Sequence, residues 1–179
     1  MKLIAFFSYS HLDDENTNGF LLKLHNRIKK EIGLVSGNSD LTIFLDNDGI
    51  EFGQFWERKI GHAIEESVAL IPVISPAYMK SEECKKEFRK FLIVENSLRS
   101  KLPVSSDGLI FPIILNSNWE DGTDSQICEE IKSRQCFSLE NYNPDGHCLR
   151  RNVVGVNLKN LAARLMDLWD LLNLAPSSA

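Results

Sequence analysis

No stretch of about 18 consecutive apolar residues occurs in the chain, so no membrane-spanning helix is expected. The opening segment MKLIAFFSYS has one lysine and an apolar run shorter than the roughly 7–15 residues of a signal-peptide core, and it reads as a first strand. There is no C-x-x-C pair. Cys84, Cys128, Cys136 and Cys148 are scattered, which predicts free thiols in a reducing cytoplasm rather than a disulfide framework. A zinc site on His147 and Cys148 would need distant partners, and no metal site is expected. Positive charge is not in excess: the formal net charge is -5, which argues against a direct grip on nucleic acid. The G-x-G-x-x-G of a dinucleotide fold is missing after the first strand, and no P-loop pattern occurs anywhere. The segment that does follow that strand, SYSHLDDE, is acidic and would repel the phosphate of a flavodoxin-type site. The third strand ends VISP, without the acceptor aspartate of a response-regulator receiver. The run Asp13-Asp14-Glu15 reads as the acidic start of the first helix, where negative charge suits the helix dipole.

What is present describes a globular α/β domain. With 43% apolar and 25% charged residues, the 179-residue chain can bury one core, and the reading is a single domain over 1–175 followed by a polar tail or the start of a linker, 176–179. Five short apolar runs recur at 3–7, 41–45, 69–74, 109–115 and 136–139. They are near-continuously apolar rather than alternating, as strands buried on both faces of a parallel sheet must be. Helical stripes lie between them: Leu21, Leu24, Ile28 and Ile32; then Trp56, Ile60, Ala63, Ile64 and Ser67; then Cys84, Phe88, Phe91, Leu92 and Glu95. A short helix is expected near Ser125–Lys132, and a long stripe runs from Leu158 to Leu172. The segment 140–157 reads as the longest irregular loop. Strand and helix alternate five times, which predicts a flavodoxin-like, doubly wound five-stranded parallel sheet with helices on both faces. Its ligand crevice should lie beyond the carboxyl ends of the strands.

The three polar segments at those ends are the informative ones. FFSYSHLDDE, IFLDNDGIEFGQFWERKIGHAIEES and IPVISPAYMKSEECKKEF resemble, in order and spacing, three boxes of the Toll/interleukin-1 receptor (TIR) domain family, and the style is closer to its bacterial members. The likeness covers nearly everything from Leu3 to Leu174. It implies the TIR fold, with Asp46 and Gly53 in the family's BB loop between the second strand and the second helix.

In enzymatic members the glutamate of the third-helix motif is the catalytic residue of an NAD⁺ glycohydrolase, and the residue in that place is Glu87. Glu83 stands where many members carry tryptophan. The resemblance therefore implies NAD⁺ as substrate, with no bound cofactor. Products would be nicotinamide and ADP-ribose, or a cyclic isomer of it, in cytoplasmic immune signalling of the antiphage kind. Ser8, Tyr9, Ser10, Asp46, Phe55 and Glu83 are the candidates for the NAD⁺ pocket. The spacing places Glu87 three residues after Cys84 and four before Phe91, on the flank of the apolar stripe, partly desolvated, with Glu83 further round toward solvent. Tyr9 and Phe55 could stack on a ring, and Trp56 falls on the core stripe. The other function class is a non-catalytic adaptor, a TIR–TIR interaction module. Partners of either would be other TIR domains met through the BB loop around Asp46, Gly53 and Phe55, in a homo-oligomer or filament, because Ile50, Phe52 and Phe55 cluster there.

Overall fold

The computed structural model describes residues 2–38, 40–45, 56–99, 102, 108–119, 124–142, 144 and 147–174, the side chains of Lys2, Trp56 and Leu174 excepted. Asp46, Gly53 and Phe55 of the expected loop, and the tail 176–179, lie outside the described residues.

Five strands, β1 (Lys2–Ser8), β2 (Leu41–Leu45), β3 (Ala69–Ile74), β4 (Ile113–Ile114) and β5 (Phe137–Ser138), form one sheet in the order β2-β1-β3-β4-β5. Each neighbouring pair is parallel. The doubly wound α/β architecture expected from the alternation is therefore present. Both faces are covered. Ile4, Phe7, Ile71 and Val73 pack into one core with α2 (Phe20–Ser36) and α7 (Asn152–Leu174). Phe6, Leu70 and Ile74 turn the other way, into a second core with α3 (Trp56–Glu66), α5 (Glu82–Arg99) and α6 (Ser125–Lys132). Every residue of β3 is buried, which is why its sequence ALIPVI shows no alternation.

The fourth strand is shorter than the run 109–115 suggests. Pro112 has no N–H to give, and it divides the segment. Before it, Leu109 and Phe111 exchange backbone bonds with Leu70 at 2.9 and 2.8 Å. After it, Ile113 and Ile114 pair with Val73 and Ile74.

Three further differences from the sequence reading have identifiable causes. The first helix is split. Helix α1 (His11–Asn16) stops at Asn18 and Gly19, whose φ values of 51° and 72° are left-handed, and α2 begins at Phe20. The acidic run thus serves two helices: it opens α1, and Asp14 Oδ1 also accepts from the N–H groups of Leu21 and Leu22 at the start of α2, at 2.8 and 3.2 Å. Next, the Ser-Pro turn after β3 is a short helix, α4 (Pro76–Lys80), capped by Ser75, whose Oγ accepts from Tyr78 N at 2.9 Å. Finally, α7 starts at Asn152, inside the expected loop, after a 3-10 turn at Cys148–Arg150. Val153, Gly155 and Val156 are weak helix formers, but Val154 is fully buried against α2 and α7 packs along it. Tertiary burial overrides propensity here.

None of the four cysteines is joined in a disulfide. Among the described residues no helix is long and apolar enough to cross a membrane.

Two polar contacts pin the frame. Glu95 on α5 is 2% exposed. Its carboxylate accepts from Arg134 Nη2 at 2.8 Å and from Leu109 N at 2.6 Å, tying α5 to the approach to β4 and to the chain after α6. At the other end of the sheet, Ser75 Oγ donates to Asp13 Oδ2, holding α1 against the β3–α4 turn. Burial raises the Asp13 pKa above its ordinary value, and the Ser75 bond offsets part of that.

Arg134→Met should leave the Glu95 charge buried without its guanidinium and destabilise the domain by about 3 kcal/mol or more, read as a lower urea midpoint. Asp13 gives the opposite dependence on charge. Its folded pKa is raised, so the wild-type domain loses stability as pH rises from the ordinary aspartate value through the raised one. Asp13→Asn keeps an acceptor for Ser75. Its melting temperature relative to wild type should rise across that window and level off above it; a difference that does not vary with pH would contradict the burial argument.

Candidate functional site

The strand order reverses between β1 and β3, and the carboxyl ends of these two neighbours end in Ser8 and in Ser75 just past Ile74. In an open parallel sheet this is where adjacent connections part to opposite faces and leave a crevice. Helix α5 brings its first turns over that point, with Cys84, Glu87, Phe88 and Phe91 buried along one stripe.

Glu87 is 6% exposed, deeper than the partly desolvated flank position expected of it. The cause is the neighbouring strand: Ser8 at the end of β1 is fully buried, and its Oγ donates to Glu87 Oε2 at 2.6 Å. A charged acceptor makes such a bond short and strong. Ser8 Oγ also lies 3.1 Å from the hydroxyl of Tyr78, a fully buried side chain on α4. That phenol lies 3.4 Å from the Cys84 carbonyl and can donate to it. Burial first, then the negative charge that Cys84 and Glu87 can carry, pushes the Tyr78 pKa well above its ordinary value, against the effect of the Ser8 bond. Tyr78 is therefore a neutral O–H at any physiological pH.

Two clefts meet at Glu87. The first, about 430 Å³, lies between α3 and α5 and is lined by Glu57, Ile60, Gly61, Ile64, Glu83, Lys86 and Lys90 as well as Glu87. Gly61 forms part of its wall. Lys90 Nζ donates to the Gly61 carbonyl at 2.9 Å, and a Cβ on Gly61 would stand 2.7 Å from that ammonium. Lys90 also pairs with Glu65 at 2.8 Å. The second cleft, about 330 Å³, is lined by Tyr9, Ser10, His11, Leu12, Ser81, Glu83 and Cys84, again with Glu87. Here the Tyr9 and His11 rings stack at 5.2 Å, and Cys84 Sγ lies 3.4 Å from the Tyr9 carbonyl. Ser10 caps α1 through its carbonyl, which accepts from Asp13 N at 3.0 Å.

Of the residues singled out from the sequence, Ser8, Tyr9, Ser10, Glu83 and Glu87 converge on this place. Glu83 is exposed at the rim of both clefts, 3.4 Å from Ser81 Oγ. Tyr9 is 3% exposed and packs against Phe7, so most of its ring is core. Asp46 and Phe55 lie outside the described residues. Sequence reasoning assigned no role to Tyr78, Lys86, Lys90 or Glu57. The signal for Tyr78 was weak: a tyrosine two residues after a Ser-Pro turn is ordinary core material, and only the approach of β1 gives its hydroxyl a partner. Of the cleft residues of α3, Ile60 and Ile64 belong to its apolar stripe, and Glu57 reads as an ordinary first-turn charge.

Three comparisons bear on what this site belongs to. A family model described as "TIR domain" matches residues 6–150. No curated protein matches the chain. Among solved structures, the TIR domains in the structure of the activated Roq1 resistosome directly recognizing the pathogen effector XopQ are similar at 18% identity; the match covers 97% of this chain and 85% of that one, with a TM-score of 0.48. The family match spans all three of the boxes and every lining residue of both clefts, and by it the chain belongs to the TIR domain family.

Proposed function

We propose that this chain is an NAD⁺ glycohydrolase whose catalytic residue is Glu87. The observation that carries the reading is a carboxylate, almost wholly buried at the sheet's switch point, that opens onto two adjoining clefts and takes a hydrogen bond from Ser8. The chemistry needs little more. The bond from the ribose carbon to nicotinamide breaks with its electron pair moving onto the pyridinium nitrogen, so the leaving group departs neutral and no general acid is required. Positive charge builds on the ribose. A fixed carboxylate in a poorly solvated site stabilises that charge more strongly than it would in water. One carboxylate suffices, unlike the paired acids of a glycosidase. Water then adds to the ribose carbon and releases a proton, giving ADP-ribose; attack by an atom of the same molecule gives a cyclic isomer instead.

An elongated dinucleotide suits a site made of two clefts with the reactive group between them. Lys86 supplies positive charge on the α3 side for the diphosphate, and the Tyr9–His11 stack borders the other side. The segment 46–55, with Ile50, Phe52 and Phe55 in its sequence, would meet a neighbouring copy and complete the site, in cytoplasmic immune signalling.

The adaptor reading has one observation in its favour. Glu83, exposed at the rim, is a charge where an aromatic would close the pocket on a ligand.

Purified protein incubated with NAD⁺ should release nicotinamide, followed by chromatography, and Glu87→Gln should abolish the release with its circular dichroism unchanged. A variant that keeps more than about a tenth of the turnover, a barrier change under about 1.4 kcal/mol, would rule out Glu87 as the catalytic group. Glu83→Gln should cost much less. No nicotinamide at any protein concentration would leave the adaptor.

Assembly predicts that activity per molecule rises with protein concentration and that Phe55→Ala suppresses the rise. Constant specific activity over about a hundredfold dilution of a monomeric sample would show a self-sufficient site.

A further inference from the structure

Ser8 entered the sequence reading as a group that could touch the substrate. Its surroundings give it another task. Ser8 is fully buried, and a serine hydroxyl has one proton. With Glu87 Oε2 as acceptor at 2.6 Å, that proton is committed to the carboxylate. The Tyr78 oxygen, 3.1 Å away, must then be the donor to Ser8. Tyr78 also has one proton, and its shorter contact is the one to Ser8 rather than the 3.4 Å contact to the Cys84 carbonyl. The direction of donation is therefore Tyr78 to Ser8 to Glu87.

A second direction is built into the same atoms. If Oε2 is protonated, it donates to Ser8, Ser8 donates to the Tyr78 oxygen, and Tyr78 donates to the carbonyl of Cys84. No heavy atom has to move. The Cys84 carbonyl is the acceptor that closes the reversed chain, and it lies three residues from Glu87 on the same helix.

We propose that Ser8 and Tyr78 are positioning residues, a two-hydroxyl relay that fixes the Glu87 carboxylate at the junction of the two clefts and sets the pH at which it takes up a proton. In the first direction Tyr78 polarises the Ser8 O–H, and the strengthened bond favours the ionised carboxylate. The high pKa of Tyr78 means that the relay keeps both of its protons throughout the working range. Neither hydroxyl reaches the substrate. Among the described residues, the other titratable or charged groups lining the two clefts with Glu87 are Glu57 on α3, Tyr9 after β1, His11 on α1, and Glu83, Cys84, Lys86 and Lys90 on its own helix. Their charges are of both signs and stay in place in the variants below, so a change of titration on removing a hydroxyl reports the relay. The catalytic meaning of the relay rests on the NAD⁺ reading above; the relay itself does not.

The deciding measurement is a pH titration of the Glu87 side-chain carboxyl by carbon NMR, in protein labelled at glutamate carboxyl carbons, with the Glu87 signal identified by its loss in Glu87→Gln. Ser8→Ala should raise the midpoint by about one pH unit relative to wild type, the size of one charge-assisted hydrogen bond partly replaced by water. Tyr78→Phe, which keeps the packing and removes only the oxygen, should raise it by a smaller amount in the same direction; this variant decides the matter if Ser8→Ala does not fold. In the NADase assay the acid limb of kcat should move upward in parallel, with KM for NAD⁺ little changed. A midpoint unmoved in both folded variants would overturn the relay, as would a Ser8→Ala effect confined to KM, which is the mark of substrate contact. A midpoint that moves in a protein that never releases nicotinamide would uphold the relay and overturn the proposed reaction.

Discussion

A carboxylate buried at the switch point of a parallel sheet needs a donor, and the bond from Ser8 to Glu87 is the contact around which this molecule is arranged. Moving an unpaired carboxylate out of water costs several kcal/mol even after relaxation, roughly what a small domain has in hand. The bond joins the end of β1 to the second turn of α5, and α4 closes behind it to place Tyr78 against the same hydroxyl. Asp13 and Ser75 then hold α1 to the opening of α4, so the segment with Ser10 and His11 stays beside the pocket.

Helix α5 carries two buried carboxylates, and the contrast between them is instructive. Glu95 is matched by the guanidinium of Arg134 and a backbone N–H. Its charge is used up in joining three parts of the chain, at the wall of a separate cleft beside α6. Glu87, eight residues earlier on the same helix, accepts a hydrogen bond from a hydroxyl and opens onto two clefts. A hydroxyl donor adds no positive charge of its own to the carboxylate, whereas a guanidinium does. On the proposed function, one amphipathic helix supplies a structural acid and a chemical one, distinguished by partners from other elements.

The rim of the site is mixed in sign. Glu57 and Glu83 stand with Lys86 and Lys90 around the larger cleft. Lys90 is held by Gly61 and Glu65 and so belongs to the wall. A Cβ on Gly61 would meet only the Lys90 side chain, whose ammonium is the far end of a flexible chain and can swing aside.

The sequence by itself determined the architecture. Near-continuous apolar strands and amphipathic helices in strict alternation admit a doubly wound parallel sheet, because strands buried on both faces cannot carry polar positions. It also determined which ends of the strands hold polar residues, and the helical spacing that separates Glu87 from Glu83. The helix at Ser125–Lys132 was legible to the residue, since an aspartate cap and a stripe mark it locally. What local pattern could not decide was contact between distant parts of the chain. The break at Asn18–Gly19, the early start of α7 and the Pro112 interruption each depend on how a segment packs or pairs. The depth of Glu87, the burial of Ser8 and the meeting of Tyr78 with both arise because β1, α4 and α5 are brought together from positions 70 and 79 residues apart in sequence. A hydroxyl on a core residue has no visible purpose until the fold supplies its partner, and only the tertiary structure supplies it.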